Sequence, residues 1–248
     1  MELQATIVDY WNEGAKGYSG YIQDELKCFK AKAWTDIILE KFPQEKKLNI
    51  LDVGTGPGFF SIILSKAGHS VTGIDCTKNM LEEARANAVE QGAFPSFLLM
   101  DSHSLKFHDN SFDLIVNRNV TWTLNNPEKA YKEWFRVLKK GGRLIIFDAN
   151  WHLFYFDEEL KKDVENSQDE YRKKFGEPFV SCRNRKTEEY APKTPLANIH
   201  RPEWDLNALK NVGFSQIQAE EDVTERVYDE GEKLLYRDTP MFKIEAVK

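Results

Sequence analysis

The short, mostly apolar run Leu48-Asn49-Ile50-Leu51-Asp52-Val53 passes directly into Gly54-Thr55-Gly56-Pro57-Gly58, and a second apolar stretch follows at once. Few junctions constrain a fold as tightly. Glycine lets the backbone turn sharply and lets a ligand approach without meeting a Cβ. A helix that opens on such a turn presents free N–H groups, which favour anionic or carboxylate partners. Three alternating glycines at a strand-to-helix junction therefore point to a nucleotide-type ligand rather than to a plain tight connection.

The residues beyond the turn read as strands alternating with helices. Residues 59–67 form a helix stopped by Gly68, and residues 70–74 form a second strand ending at Asp75. Thr77 stands where it can N-cap the next helix, which buries Met80, Leu81, Ala84 and Ala88 and stops at Gly92. Residues 97–100 and 112–117 are the third and fourth strands. Asn126-Pro127-Glu128 opens a helix with a cap, a first-turn proline and an early acid. Ala130, Tyr131, Trp134, Phe135 and Leu138 lie on its apolar face, Gly141-Gly142 ends it, and residues 143–147 form the fifth strand. Such alternation predicts an α/β fold with a mostly parallel, doubly wound sheet covered on both faces. Ligands in these sheets bind beyond the carboxyl ends of the strands, at the switch point.

The pattern divides the chain into four parts of one domain. Residues 1–47 form a helical segment whose aromatic, glycine-rich stretch, residues 10–18, suits a mobile cover. Residues 48–150 form the ligand-binding core, and residues 151–201 an insertion over the sheet. That insertion carries a helix over residues 157–175, then a polar stretch broken by proline. Residues 202–248 return to the core with a helix over 204–212, a strand near Phe214 and a last strand over 241–247.

Composition narrows the function. The formal net charge is −6 across 248 residues, which disfavours a nucleic-acid binder reliant on a basic surface. Cys28, Cys76 and Cys182 are far apart and make no Cys-x-x-Cys or Cys/His ligand spacing, so no metal is expected and a reducing compartment suits them. No apolar run approaches the length of a membrane span, and the N-terminus has no signal-peptide pattern. A cytoplasmic protein acting on a small molecule is the expectation, and the sequence does not address its oligomeric state.

The choice of nucleotide turns on spacing. A dinucleotide fold wants G-x-G-x-x-G with an acid about twenty residues later. Asp75 supplies the acid, but the glycines run G-x-G-x-G and Phe59 takes the last position of the dinucleotide pattern. There is also no Tyr-x-x-x-Lys pair of the short-chain dehydrogenase kind. An NAD-dependent oxidoreductase is therefore the less favoured reading.

The residues instead resemble those of the class I S-adenosylmethionine (SAM)-dependent methyltransferases, whose first motif is close to D-x-G-x-G-x-G. Asp75 matches the acid that in the family binds the ribose hydroxyls. Met100-Asp101-Ser102 matches the segment where an acid meets the adenine amino group. Ser111-Phe112-Asp113-Leu114-Ile115 is similar to the family's S-F-D-x-[IV] strand. The stretch from Glu133 through Arg136-Val137-Leu138-Lys139-Lys140 to Gly141-Gly142 is similar to E-x-x-R-V-L-K-P-G-G, with Lys140 in place of the proline. The likeness is to the small-molecule branch labelled ubiquinone/menaquinone-biosynthesis-like. It implies a Rossmann-like, seven-stranded sheet with its last strand antiparallel. It also implies SAM as cofactor, S-adenosylhomocysteine (SAH) as product, and a lid built from the N-terminal segment and the insertion. The cofactor residues it implies are Asp52, Gly54, Thr55, Gly56, Gly58, Asp75, Cys76, Met80, Met100, Asp101, Ser102, Asn117 and Tyr18. Asp52 either orients the glycine turn or reaches the methionine ammonium.

Methyl transfer from a sulfonium needs alignment and exclusion of water more than a catalytic group, and a general base only where the acceptor carries a proton in the way. His103, Asp148 and His152 are the candidates for such a base. After the fourth strand the chain has no N-P-P-Y or D-P-P-Y, and no cysteine follows a proline, which turns the reading away from nucleic-acid bases. Arg118, Trp122, Asn150, Tyr10, Trp11, Tyr21 and Tyr155 are the substrate-side candidates, with Arg118 either a substrate clamp or half of a structural ion pair. Phe154 and Phe156 are further pocket candidates. A SAM-binding regulatory or partner module without turnover is the alternative in a different class.

Overall fold

The computed structural model describes residues 2–43, 45–177 and 185–248. Cys182 and part of the expected insertion lie outside the described residues. In chain order the elements are α1 (Glu2–Leu26), α2 (Lys30–Leu39), β1 (Asn49–Val53), α3 (Phe59–Lys66), β2 (Ser70–Asp75), α4 (Lys78–Glu90) and β3 (Ser96–Leu99). Then come β4 (Phe112–Arg118), α5 (Pro127–Val137), β5 (Leu138–Asp148), α6 (Glu158–Phe175), α7 (Arg185–Tyr190) and α8 (Glu203–Val212). The chain closes with β6 (Ser215–Glu220), α9 (Thr224–Val227), α10 (Glu230–Leu235) and β7 (Phe242–Val247).

The seven strands form one sheet in the order β3-β2-β1-β4-β5-β7-β6. The first five pair in parallel, and β7 runs antiparallel to both β5 and β6. The expected seven-stranded α/β sheet, with its last strand antiparallel, is what the chain forms. Side chains alternate between the faces: Ile50 packs with Trp34, Phe60, Val116 and Phe147 on one side, and Leu51 with Ile115, Tyr131, Trp134 and Ile244 on the other. Because β1 continues to β2 on one side while β4 lies on its other side, a crevice opens beyond their carboxyl ends.

Three expectations need correction. The aromatic, glycine-rich stretch is no separate cover; it is the middle of the 25-residue helix α1. Ile7, Tyr10, Ala15, Ile22 and Leu26 are buried at helical spacing. Their packing overrides the weak helix propensity of Gly14, Gly17 and Gly20, so tertiary contacts decide here. A Cβ added at any of those three glycines would meet no neighbour within 4 Å. Gly141-Gly142 does not end α5, which stops at Val137; both glycines lie within β5. A Cβ at Gly142 would sit 2.8 Å from the Lys139 carbonyl oxygen and 3.2 Å from that of Asp113, so close strand approach is what demands glycine there. Thr77 holds the N-cap position of α4 without a side-chain cap; its hydroxyl donates to Asp75 instead.

Candidate ligand-binding cavity

The glycine turn is bent in the left-handed region at both Gly54 (φ 65°) and Gly56 (φ 52°). A Cβ at Gly54 would lie 2.4 Å from Val120 Cγ2, so a side chain is excluded by space as well as by backbone strain. Asp52, 2% exposed, holds the turn from below. Its Oδ2 accepts from Thr55 Oγ1 at 2.6 Å, Ser61 N at 3.0 Å and Ser61 Oγ at 2.8 Å. Burial pushes its carboxyl up to about 6, and these hydrogen bonds work in the opposite direction.

Asp75 faces the turn from the end of β2. Its Oδ2 accepts from Gly56 N at 3.0 Å, and its Oδ1 from Thr77 N and Oγ1 at 2.9 and 2.7 Å. Burial raises its pKa against these donors. Desolvation, then the carboxylates of Asp75 and Asp101, push the Cys76 thiol up to about 12, which keeps it protonated at neutral pH. Past β3, Asp101 Oδ1 accepts from His103 N at 2.9 Å and stands 2.7 Å from His103 Nδ1. Burial acts against Asp101, but the His103 hydrogen bonds outweigh it and hold the carboxyl below its ordinary range. The buried His103 ring is thus committed to Asp101 through Nδ1.

The opposite side of the crevice is assembled from distant segments. Arg118, at the end of β4, donates from Nη1 and Nη2 to the Glu25 carboxylate of α1 at 3.0 and 2.7 Å. Their side chains are 9% and 2% exposed, and the guanidinium lies 4.6 Å from the Phe59 ring centroid and 5.1 Å from that of Trp34. Burial would lower the Arg118 pKa, but Glu25 more than reverses this. Of the two roles open to Arg118, the ion pair is the one formed. Tyr21 Oη and Lys30 Nζ both donate to Glu232 of α10 at 2.6 Å, which ties α1 and α2 to the segment between β6 and β7. Burial, then Glu25 and Glu232, raise the Tyr21 hydroxyl well above its ordinary value.

Between these two sides lies a cavity of about 550 Å³. It brings together Asp52, Gly54, Thr55, Gly56, Asp75, Cys76, Met80, Met100, Asp101, Ser102 and Tyr18 from the cofactor set. From the other sets it takes Arg118, Trp122, Trp11, Tyr21, Phe154, His103 and His152. Tyr18 stands over the turn, with its ring edge 3.6 Å from where a Gly56 Cβ would be.

Seven expected residues do not line it, among them Phe156, whose side chain is exposed at the surface. Gly58 turns the chain into α3 with φ 94°, and a Cβ there would press on Ala84 at 3.1 Å. Asn117 has no exposed surface, and its amide finds no hydrogen-bond partner among the described residues. Tyr10 packs on Trp11 and Tyr190, and Tyr155 on Phe154 and His152. Asn150 is used by the backbone of residue 201, accepting from Arg201 N at 3.1 Å and donating to Arg201 O at 2.9 Å. Asp148, also without exposed surface, accepts from Ala149 N and Trp151 Nε1 at 2.9 Å, from Trp122 N at 3.0 Å, from Arg201 Nη1 at 3.1 Å and from Thr121 Oγ1. With its lone pairs so occupied, it is displaced from the list of candidate bases.

The lining also holds residues that the sequence reading missed, among them Glu25, Tyr228, Tyr236 and Thr239. For α10 a signal was present. Asp229 and Glu232 form a capping box, recognisable as an acid followed three residues later by Glu. Among the described residues, no cluster of three His, Cys, Asp or Glu side chains is placed to hold a metal ion. No helix among them is long and apolar enough to cross a membrane.

Known proteins share this frame. Residues 51–146 match the family described as a methyltransferase domain. The ubiquinone/menaquinone biosynthesis C-methyltransferase of Ruegeria sp. (strain TM1040) is 35% identical over 155 residues, 59% of this chain and 60% of that protein. The demethylmenaquinone methyltransferase of Thermus thermophilus is 36% identical over 115 residues, 46% of this chain and 50% of that protein. The chain thus spans 60% or less of the length of these curated relatives. A SAM-dependent methyltransferase from Aquifex aeolicus has the same fold, with a TM-score of 0.57 at 19% identity over 92% of this chain and 97% of that one. The matched stretch runs from β1 into β5, through the glycine turn and both Asp75 and Asp101, and over it the chain is similar to a methyltransferase domain.

Proposed function

We propose that the chain binds SAM in the 550 Å³ cavity and transfers its methyl group to a small-molecule acceptor, with SAH as the second product. The observation that carries this reading is the placing of Gly54, Gly56, Asp75 and Asp101 along one wall, at the carboxyl ends of β1, β2 and β3. Asp75 and Asp101 offer carboxylate oxygens to ribose hydroxyls and to the adenine amino group, and charge-assisted bonds of this kind are the stronger ones. The Gly54–Gly56 backbone leaves room for the methionine end, and Asp52 keeps that backbone in place.

When bound, the cofactor supplies a methyl group on a sulfonium, whose departure as a neutral thioether drives the transfer. The chain's own share is alignment and dryness. Tyr18, Trp11 and Tyr21 of α1 cover the cavity, while Trp122, His152 and Phe154 wall it on the other side. In this reading α1 and the described residues of the 151–201 segment form the lid. His152, and more remotely His103, is where an acceptor proton would be received.

Relatives whose names include quinone-biosynthesis methyltransferases and a phosphatidylethanolamine N-methyltransferase of Cereibacter sphaeroides support a small-molecule acceptor. A cytoplasmic setting belongs to the same reading, and the free Cys28 and Cys76 suit it. The test is incubation with methyl-labelled SAM and a fractionated small-molecule extract. Label recovered in a small organic product, with SAH in equal amount, is the expected result. SAH binding with no labelled product in any fraction would make the chain a binding module instead.

A further inference from the structure

We propose that Asp148 and Arg201 are positioning residues that mount two tryptophans on the acceptor side of the cavity, without themselves touching a ligand. The proposal rests on the functional reading above only in naming that side as the acceptor's. Trp122 follows β4 and Trp151 follows β5, so they stand on separate loops, yet both line the cavity. One carboxylate holds both. Asp148 Oδ2 accepts from the Trp122 backbone N–H at 3.0 Å, and Oδ1 from the Trp151 indole Nε1–H at 2.9 Å.

That carboxylate is itself gripped from far along the chain. Arg201 donates from Nη1 to Asp148, from Nη2 to Thr121 Oγ1, and from Nε and Nη2 to Asp205 at 2.7 and 3.0 Å. Thr121, which precedes Trp122, in turn donates to Asp148. Asn150 clips the Arg201 backbone at both its N–H and its carbonyl. All three charged side chains are 1% exposed or less. The planar guanidinium fork serves two carboxylates and a hydroxyl at once, which a lysine ammonium on a flexible stem does not reproduce. The two indoles therefore take their places only once residue 201 has docked against the ends of β4 and β5. The cofactor wall on β1, β2 and β3 shares none of these bonds.

The six tryptophans supply the test. The whole chain is labelled with 5-fluorotryptophan, each ¹⁹F resonance is assigned from a Trp→Phe variant, and Arg201→Lys, Asp148→Asn and the milder Thr121→Val are compared. Trp34 and Trp134, fully buried in the two cores, report on the fold as a whole. The Trp122 and Trp151 resonances are expected to shift and broaden while those of Trp34 and Trp134 stay in place. SAH affinity should stay within about twofold, a change small beside the tenfold step of 1.4 kcal/mol. The proposal is overturned if all four resonances move together, or if Trp122 and Trp151 stay unmoved in folded Thr121→Val and Arg201→Lys. Failure of the unaltered chain to bind SAH would sink the functional reading instead, and the resonance pattern would still judge the mount.

Discussion

The two walls of the cavity are held by contacts of opposite range. On the cofactor wall, Asp52 reaches Thr55 and Ser61, three and nine residues away, Asp101 reaches His103 two residues away, Gly56 reaches Asp75 across nineteen, and Met100 N reaches the Asp75 carbonyl across 25. On the facing wall, Glu25 meets Arg118 across 93 residues and Tyr21 meets Glu232 across 211. Short loops can hold their shape from local hydrogen bonds. The far wall exists only when the whole chain has folded, and its charges are stranded if a partner is lost. In the proposed reading, the difference separates the wall that would hold the cofactor from the wall that would enclose it.

The sharpest way to break this contrast is Arg118→Ala. It leaves the Glu25 carboxylate buried without its partner, and a loss of about 3–5 kcal/mol of folding stability is expected. Urea unfolding measures it, and the double variant Glu25→Gln/Arg118→Met should recover most of the loss, because no lone charge remains. A single-variant loss below about 1 kcal/mol would put this pair among surface ion pairs and erase the contrast.

On the cofactor wall, Asp75→Ala is expected to weaken SAM binding by about 1.5–3 kcal/mol through lost charge-assisted bonds, with a smaller effect on stability than Arg118→Ala. Calorimetric titration reads the first quantity and a thermal melt the second. Unchanged affinity would move the ribose site away from β2.

Asp52 adds a dependence on pH. Burial raises its folded pKa from 3.8 to about 6, so the folded state holds the proton more tightly than the unfolded chain. The stability this contributes is complete below pH 3.8 and is lost as pH rises through about 6. Asp52→Asn lacks that titration. The unfolding free energy of Asp52→Asn relative to the unaltered chain should therefore rise by about 1–3 kcal/mol between pH 4 and pH 7. A gap constant across that window would show that Asp52 is not desolvated in the folded state.

The smallest effect belongs to α1. Gly14, Gly17 and Gly20 have open space where a Cβ would go, so each change to alanine should stabilise the fold by about 0.5–1 kcal/mol. Destabilisation at any of them would mean that something packs against the helix there.

The same contrast explains what could be read from the sequence. Strand-to-helix alternation, the glycine turn and the acids at 75 and 101 are local signals, and the structure brings them into one cavity. Residues 10–18 do not read as a helix because Gly14 and Gly17 mask a helical burial pattern that only packing against α4 and α7 reveals. Asp148 and Asn150 stood at the expected strand end, but nothing nearby in sequence announces that Arg201 will claim them. Glu25 and Glu232 gave no functional signal, because each acquires its role from a partner on another element.

The central claim, that the glycine turn and its facing acids form a SAM site, is tested most directly by calorimetric titration of the unaltered chain with SAM, SAH and NAD in parallel. Saturable heats with SAM and SAH at one site per chain, and none with NAD, are predicted. Saturable binding of NAD with no response to SAM or SAH would contradict the account.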